Sequence, residues 1–168
     1  MLNDVTKGQT VDMERDSVGQ PIAGAAFMSS VTHSLDPRRR LTIPAGWRDV
    51  MGGPRYVYVM PDPVLRCLNL LPVNVLSEML PKPKDVGLFN SGVDAAFAAL
   101  SKHAEHLPLD VQGRIRIRDG LLDWAGLHDK VVLVGMNFKI QLWAPENYPG
   151  SEGVDQAELA AALKALGI

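Results

Sequence analysis

Two aspartate–arginine pairs are the residues of this 168-residue chain best suited to chemistry, and that chemistry is the recognition of anions and base edges. Asp36 precedes Arg40 by four positions, and Asp110 precedes Arg114 by the same spacing. An arginine presents five donors in a rigid fork, which can grip a phosphate or the O6 and N7 edge of a guanine. A neighbouring carboxylate can fix the direction of that fork. The two pairs therefore favour a binding site over a catalytic one.

Further arginines surround both pairs. Together they form a candidate DNA-contact set: Arg38, Arg39, Arg40, Arg114, Arg116 and Arg118. We predict that Asp36 and Asp110 orient this set and do not meet DNA, because phosphates repel a carboxylate. A purely structural role for each pair stays open, since Asp and Arg four apart also close strand junctions. For the second pair we weigh the structural role nearly equally with DNA contact, because Gly113 makes the basic surface of this turn smaller.

The two pairs belong to a duplicated segment. Asp36 and Asp110 are 74 positions apart (110 − 36), and so are Arg40 and Arg114. Further on, residues 66–72 are similar to residues 139–145 at an offset of 73 (145 − 72), which suggests one inserted residue between them. A repeat that keeps its register over several elements is typical of a duplicated supersecondary unit.

Each copy is predicted to contain a strand, a tight turn, a second strand, a short helix and a hairpin. Asp110 can bond its own backbone two residues on, and Gly113 tolerates positive φ, so these residues predict the second turn. The alternation over residues 114–118 predicts a half-buried strand whose arginines share one face. The helix that follows is expected to stop at Gly126. The chain is therefore expected to be α+β in class.

The segments outside the two copies are predicted to be helices and linkers. A helix over residues 73–80 should be followed by a Pro/Lys-rich linker at 81–84, and Asn90 or Ser91 should cap a helix that passes through Leu100. The tail carries Leu159, Leu163 and Leu166 on one face, which predicts a helix that docks on its own body or on a neighbouring subunit.

Five regions follow from this organisation. They are a flexible extension (1–26), a first half with its helix (27–80), a helical linker (81–104), a second half (105–148) and a helical tail (149–168).

Charge is distributed in favour of a nucleic-acid partner. The net charge is −2, but residues 31–144 hold 14 basic and 11 acidic groups, a net of +3, between acidic ends. We hypothesise that the acidic ends fold over the basic turns and weaken binding.

Other classes of function lack support. An 18-residue apolar run and a secretory leader are both missing, and Cys67 is a lone cysteine, so a cytoplasmic protein without disulfides is expected. His103 and His106 make at most half of a metal site. Without a phosphate loop, catalytic triad or paired carboxylates, we predict no enzymatic activity, metal, cofactor or small-molecule substrate.

The duplicated architecture resembles the MraZ family, whose members carry two tandem AbrB/SpoVT-like halves. The resemblance covers residues 27–148, with signature stretches at Leu35–Pro44 and Leu109–Ile115, and with the strand Val131–Gly135. It implies a duplicated swapped-hairpin β-barrel with short helices, a ring-shaped homo-oligomer, and sequence-specific repression of a gene cluster for cell division and cell-wall synthesis. A nucleoid-associated protein that binds double-stranded DNA is therefore expected.

The chain departs from the family pattern in both turns. Arg39 stands where the first motif usually has Gly, so a positive φ there would cost about 1 kcal/mol of strain. Arg118 stands where the first copy has Pro44. The alternative function is a non-enzymatic scaffold of the same fold whose basic turns contact proteins.

Overall fold

The computed structural model describes residues 26–150 and 153–168. The first half contains β1 Ser30–Ser34, β2 Arg40–Thr42, α1 Ala45–Val50, β3 Tyr56–Pro61 and β4 Leu68–Pro72. Three helices follow: α2 Val73–Met79, α3 Pro83–Val86 and α4 Ser91–His103. The second half contains β5 Glu105–Pro108, β6 Arg114–Arg116, α5 Asp119–Ala125, β7 Lys130–Gly135 and β8 Ile140–Trp143, and the chain then forms a 3-10 turn at Pro145–Asn147 and α6 Gln156–Ala165. The mixed α+β class is confirmed, whereas the predicted N-terminal extension lies outside the described residues except for its end.

The two halves exchange strands. One antiparallel sheet has the order β1-β7-β8-β4-β3-β5, and β2 pairs with β6 in a separate ribbon. The first strand of each half therefore pairs with the third strand of the other half: β1 pairs with β7, and β5 pairs with β3. This arrangement has an approximate two-fold axis, which passes between β2 and β6 and again between β4 and β8. The six-stranded sheet is not closed.

Strand register corrects the predicted offset between the copies. Val59 and Leu133 are equivalent at an offset of 74 (133 − 59), and they pair with Leu70 and Leu142 respectively. Leu70 and Leu142 are therefore equivalent at an offset of 72 (142 − 70). The predicted offset of 73 was wrong, because it came from matching similar residue types around β4 and β8. The β3–β4 hairpin is in fact two residues longer than the β7–β8 hairpin. The same register makes Asn69 and Gln141 both equivalents and cross-strand partners.

One hydrophobic cluster joins the β2–β6 ribbon to the large sheet. Leu41 and Ile115 pair on the approximate two-fold axis, and both side chains are buried. Around them pack apolar residues from both halves: Ile43, Val57, Val59, Leu68, Leu70, Ile117, Leu122, Leu133, Ile140 and Leu142. Alternation places the neighbours of Leu41 and Ile115 on the opposite, outward face of the ribbon.

The helices between the halves follow the predicted order with one difference. Asn90 caps α4, since its side-chain oxygen accepts hydrogen bonds from the backbone N–H groups of Gly92 and Val93. The segment predicted as a linker contains the short helix α3, which begins at Pro83 because proline suits the first helical turn. Gly126 ends α5 in the left-handed conformation, as predicted.

The tail forms a helix, as predicted, but it does not dock on its own body. Asp155 caps α6, and all residues from 153 to 168 are exposed, including Leu159 and Leu163. Docking on the same chain was therefore wrong for the described residues. Docking on a neighbouring subunit stays a prediction.

Cys67 is fully buried beside β4, and burial raises the pKa of its thiol to about 11. None of the helices within the described residues is long and apolar enough to cross a membrane.

Candidate nucleic-acid interface

In the first turn, Asp36 binds both the backbone and the side chain of Arg40. Its Oδ1 accepts hydrogen bonds from the backbone N–H groups of Arg38 at 2.9 Å and Arg40 at 2.8 Å. Its Oδ2 accepts the Nε–H of Arg40 at 2.6 Å. One carboxylate thus closes the turn and fixes the direction of the guanidinium plane.

The second turn repeats this geometry. Asp110 Oδ1 accepts from the backbone N–H groups of Gln112 and Arg114, each at 2.9 Å, and Oδ2 accepts from Arg114 Nε at 2.6 Å. Each aspartate takes only Nε–H, and the two terminal nitrogens of each arginine have no hydrogen-bond or ion-pair partner among the described residues. Both arginine side chains are about one-quarter exposed, at 28% and 24%.

Hydrogen bonds lower the pKa of both aspartates. The backbone N–H of Arg40 is the largest cause that lowers the pKa of Asp36, and the Arg40 side chain adds to it. The backbone N–H of Arg114 does the same for the pKa of Asp110. The turns are therefore built around charged carboxylates at neutral pH.

The ribbon between the two turns carries arginines on its outward face. Arg40 pairs with Arg116, and Thr42 pairs with Arg114, while the alternate residues point into the core. Directly opposed residues of an antiparallel pair project on the same side. The two turns lie at opposite ends of this short ribbon, so one chain presents two equivalent Asp–Arg pairs.

Arg39 differs from the other arginines of the first turn. It has a positive φ of 57°, in agreement with the strain predicted for this position. Its guanidinium binds Asp119 at 2.6 Å and Asp123 at 3.1 Å, both on α5. The structure therefore turns Arg39 toward the helix of the other half.

The equivalent position in the second turn is Gly113, at φ 74°. There the side chain of Arg48 reaches across from α1 and covers the glycine, so that an added Cβ would lie 2.5 Å from Arg48 Cδ. Arg48 Nε is buried and has no hydrogen-bond partner within the described residues.

Arg116 and Arg118 do not share one strand face, in contrast to the sequence expectation. The strand ends at Arg116, whose guanidinium binds Asp119 at 2.9 Å and also the carbonyl of Ile117. Arg118 directly precedes α5 in an extended conformation, and its side chain donates to the carbonyls of Lys102 and His103 at 3.2 Å. Arg118 therefore binds the C-terminal end of α4, whose carbonyls lack helical partners.

Arg38 has a free side chain among the described residues. It is exposed, and its side chain makes neither a hydrogen bond nor an ion pair with the described residues. The roles of Asp119, Asp123 and Arg48 were not predicted from the sequence, although the spacing of the two aspartates by four on one helix indicates a shared face. Within residues 26–150 and 153–168, no three acidic, His or Cys side chains converge on a metal site.

The chain is similar in sequence to several known proteins. The chain is 30% identical to the transcriptional regulator MraZ of Thermomicrobium roseum over 136 residues, which are 81% of this chain and 90% of that protein. It is 32% identical to the protein of the same name in Saccharophagus degradans, over 71% of this chain and 83% of that one. A relative from Clostridium acetobutylicum is 24% identical over 84% of this chain and 99% of its own length. None of the protein-family models matches the chain.

Proposed function

The chain belongs to the MraZ family of transcriptional regulators, and we propose that it binds double-stranded DNA through its two Asp-x-x-x-Arg turns. The observation that carries the proposal is the Nε–carboxylate pair of each turn, which orients a guanidinium and leaves its two terminal nitrogens available. Two parallel N–H donors match the oxygens of a phosphate or the O6 and N7 atoms of guanine.

The β2–β6 ribbon supports the same partner. A two-stranded antiparallel ribbon fits the major groove of B-form DNA, and this one presents Arg40, Arg114 and Arg116 on its outward face. Because the two turns are related by an approximate two-fold axis, each can approach DNA with the same local geometry.

The six candidate arginines have unequal roles in this proposal. Arg38, Arg40 and Arg114 make the contacts, since they have free donors. The contacts of Arg39, Arg116 and Arg118 within the chain must weaken before these residues reach DNA. In this proposal Arg39 chiefly stabilises the first turn through its ion pairs with α5.

Self-association completes the proposed mechanism. We propose that the strand-exchanged halves act as a swapped-hairpin barrel within a ring-shaped homo-oligomer, which engages successive short DNA repeats. Several weak contacts joined in one assembly raise the overall affinity by orders of magnitude. In keeping with the family, the proposed target is a cell-division and cell-wall gene cluster, repressed at the nucleoid in the cytoplasm without enzymatic chemistry.

A binding experiment tests the turns directly. Short duplexes are selected from a random-sequence pool with the unmodified protein, and their affinity is measured by fluorescence anisotropy for Arg40→Ala, Arg114→Ala and the double variant. Loss of an arginine that contacts a base or phosphate costs about 1–3 kcal/mol, so about 5- to 150-fold weaker binding is expected per turn. Lys164→Ala on the exposed helix α6 is the matched control, since it removes the same charge far from the turns in sequence.

Salt dependence separates DNA binding from the alternative scaffold role. Phosphate contacts make log K fall linearly with log salt, and loss of one contact reduces that slope by about one. Unchanged affinity and slope in a correctly folded double variant would reject the turns as the DNA site. Failure to select any duplex would favour the protein-binding scaffold.

A further inference from the structure

An apolar groove of about 600 Å3 opens beside α5. Its floor and walls come from the β3–β4 hairpin, the C-terminal end of α4 and the exposed side of α5. The residues that define this α5 groove are Met60, Pro61, Leu100, Gly120, Leu121 and Trp124. Its apolar lining is accessible in the single chain.

The approximate two-fold axis relates this groove to a site that is filled. In the other half, between α1 and the β7–β8 hairpin, Phe27 packs edge to face on Trp47 with ring centroids 6.1 Å apart, and it is only 2% exposed. Its backbone bridges Asn137. Trp47 is equivalent to Leu121 at the offset of 74 (121 − 47), so the position of the α5 groove that corresponds to Trp47 carries a leucine.

Glycine and proline explain why only one site is filled by a backbone segment. Gly135 lets that segment approach closely, since a Cβ there would lie 2.6 Å from the carbonyl carbon of Phe27. Its equivalent at the offset of 74 is Pro61 (135 − 74), which lines the α5 groove. The groove is therefore suited to an inserted side chain and not to a bridging strand.

The chain also carries an aromatic residue without a packing site. Phe89 is 93% exposed and Leu88 beside it is 74% exposed, at the turn before α4. Ala99 and Leu100 line the groove at the other end of the same helix. With a rise of 1.5 Å per residue, Phe89 lies about 15 Å from Ala99, so it does not reach the groove of its own chain while α4 is helical.

We propose that Phe89 of a second copy inserts into the α5 groove, in the role that Phe27 has in the other half. An aromatic residue in an apolar pocket is the common anchor of protein interfaces. Charge supports the match, because Asp94 follows Phe89 in the first turn of α4 whereas Arg118 lines the groove and Arg66 stacks on Trp124 at 4.8 Å. Asp62 also lines the groove, so these two arginines leave it with one excess positive charge. Lys84 and Asp85 before Phe89 cancel each other.

This contact joins two different surfaces of the same chain, so it is heterologous. Such a contact closes into a ring when its rotation is a whole fraction of a turn, and otherwise produces a filament. The inference rests on the self-association proposed above and names the residues that would produce it.

The experiment compares masses of full-length variants by light scattering. Phe89→Ala removes the inserted side chain, and Gly120→Trp blocks the groove, where a new side chain meets open space. Both variants should lose the oligomer, whereas Gly120→Ala should keep it. Both sites are exposed, and thermal melting of each variant checks that the fold is unchanged.

A mixture of the two variants gives the sharpest result. Phe89 of the Gly120→Trp variant can still enter the intact groove of the Phe89→Ala variant, so an equimolar mixture should form a heterodimer of two chains and nothing larger. The inference would be overturned if both folded variants kept the mass of the unmodified oligomer, or if their mixture formed no heterodimer. Loss of the oligomer only in Leu159→Ala/Leu163→Ala would assign the interface to α6 instead, and a monomeric unmodified protein would reject self-association itself.

Discussion

Arg39 and Gly113 occupy equivalent positions of the two turns, at φ 57° and 74°, and a guanidinium lies at the junction of turn and helix in both cases. At the first junction the guanidinium belongs to a turn residue, Arg39, which reaches α5. At the second junction the guanidinium belongs to a helix residue, Arg48 on α1, which covers Gly113. The two junctions therefore use arginines from opposite elements.

Replacement of Arg39 should separate its backbone strain from its ion pairs. Arg39→Gly and Arg39→Ala both lose the contacts with Asp119 and Asp123, but only glycine adopts the positive φ without strain. We expect the glycine variant to be more stable than the alanine variant by about 1 kcal/mol. Urea unfolding of both measures this difference, and equal stabilities would contradict a strained turn.

Gly113→Ala should destabilise the second turn by about 1–3 kcal/mol, because it adds positive-φ strain and a collision with Arg48. Arg48→Ala in the same chain removes the collision and leaves the strain. The double variant should therefore be more stable than the sum of the single effects predicts, with a coupling of about 0.5–3 kcal/mol. A strictly additive double-mutant cycle would show that Arg48 yields without cost.

Asp36→Asn should weaken DNA binding although it makes the chain more positive. Asparagine keeps one acceptor, but its NH2 group cannot accept the Nε–H of Arg40, so the guanidinium loses its fixed direction. Asp49→Asn adds the same charge at an exposed position of α1 and is the control. If Asp36→Asn binds DNA as tightly as the control, net charge and not orientation controls affinity.

Stability should fall below pH 4 because of the turn aspartates. The pKa of Asp36 and of Asp110 is lowered from 3.8 in the folded chain, mainly by the backbone N–H of the paired arginine. Above 3.8 both states are ionised and the full contribution is present. As pH falls toward the folded pKa, the unfolded chain takes up protons first and stability is lost.

Thermal melting between pH 6 and pH 3 tests this dependence on Asp36 and Asp110. The Asp36→Asn/Asp110→Asn variant should show a smaller loss of melting temperature over the acid range than the unmodified chain. An identical pH profile in the two proteins would assign the acid sensitivity to other carboxylates, such as Asp119, whose pKa is also lowered, chiefly by its hydrogen bond with Arg116.

Local spacing determined the parts of the candidate site that were predicted from the sequence. The four-residue separation of Asp36 and Arg40 lets one side chain bind the turn and the guanidinium together, and Gly126 and Asn90 end and cap their helices through bonds within a few residues. Interactions of this range depend on chain geometry that is nearly the same in every protein. The repeat, the turns and most helices therefore followed from the amino-acid order.

Strand exchange decided the rest. Arg39 binds Asp119 across 80 positions, and Arg48 covers Gly113 from the other half. These contacts exist only because β1 and β5 pair with strands of the opposite half, which brings distant residues together in a way that no local period records. The sequence by itself determined two oriented arginines, and the tertiary structure decided which of the remaining arginines still have free donors.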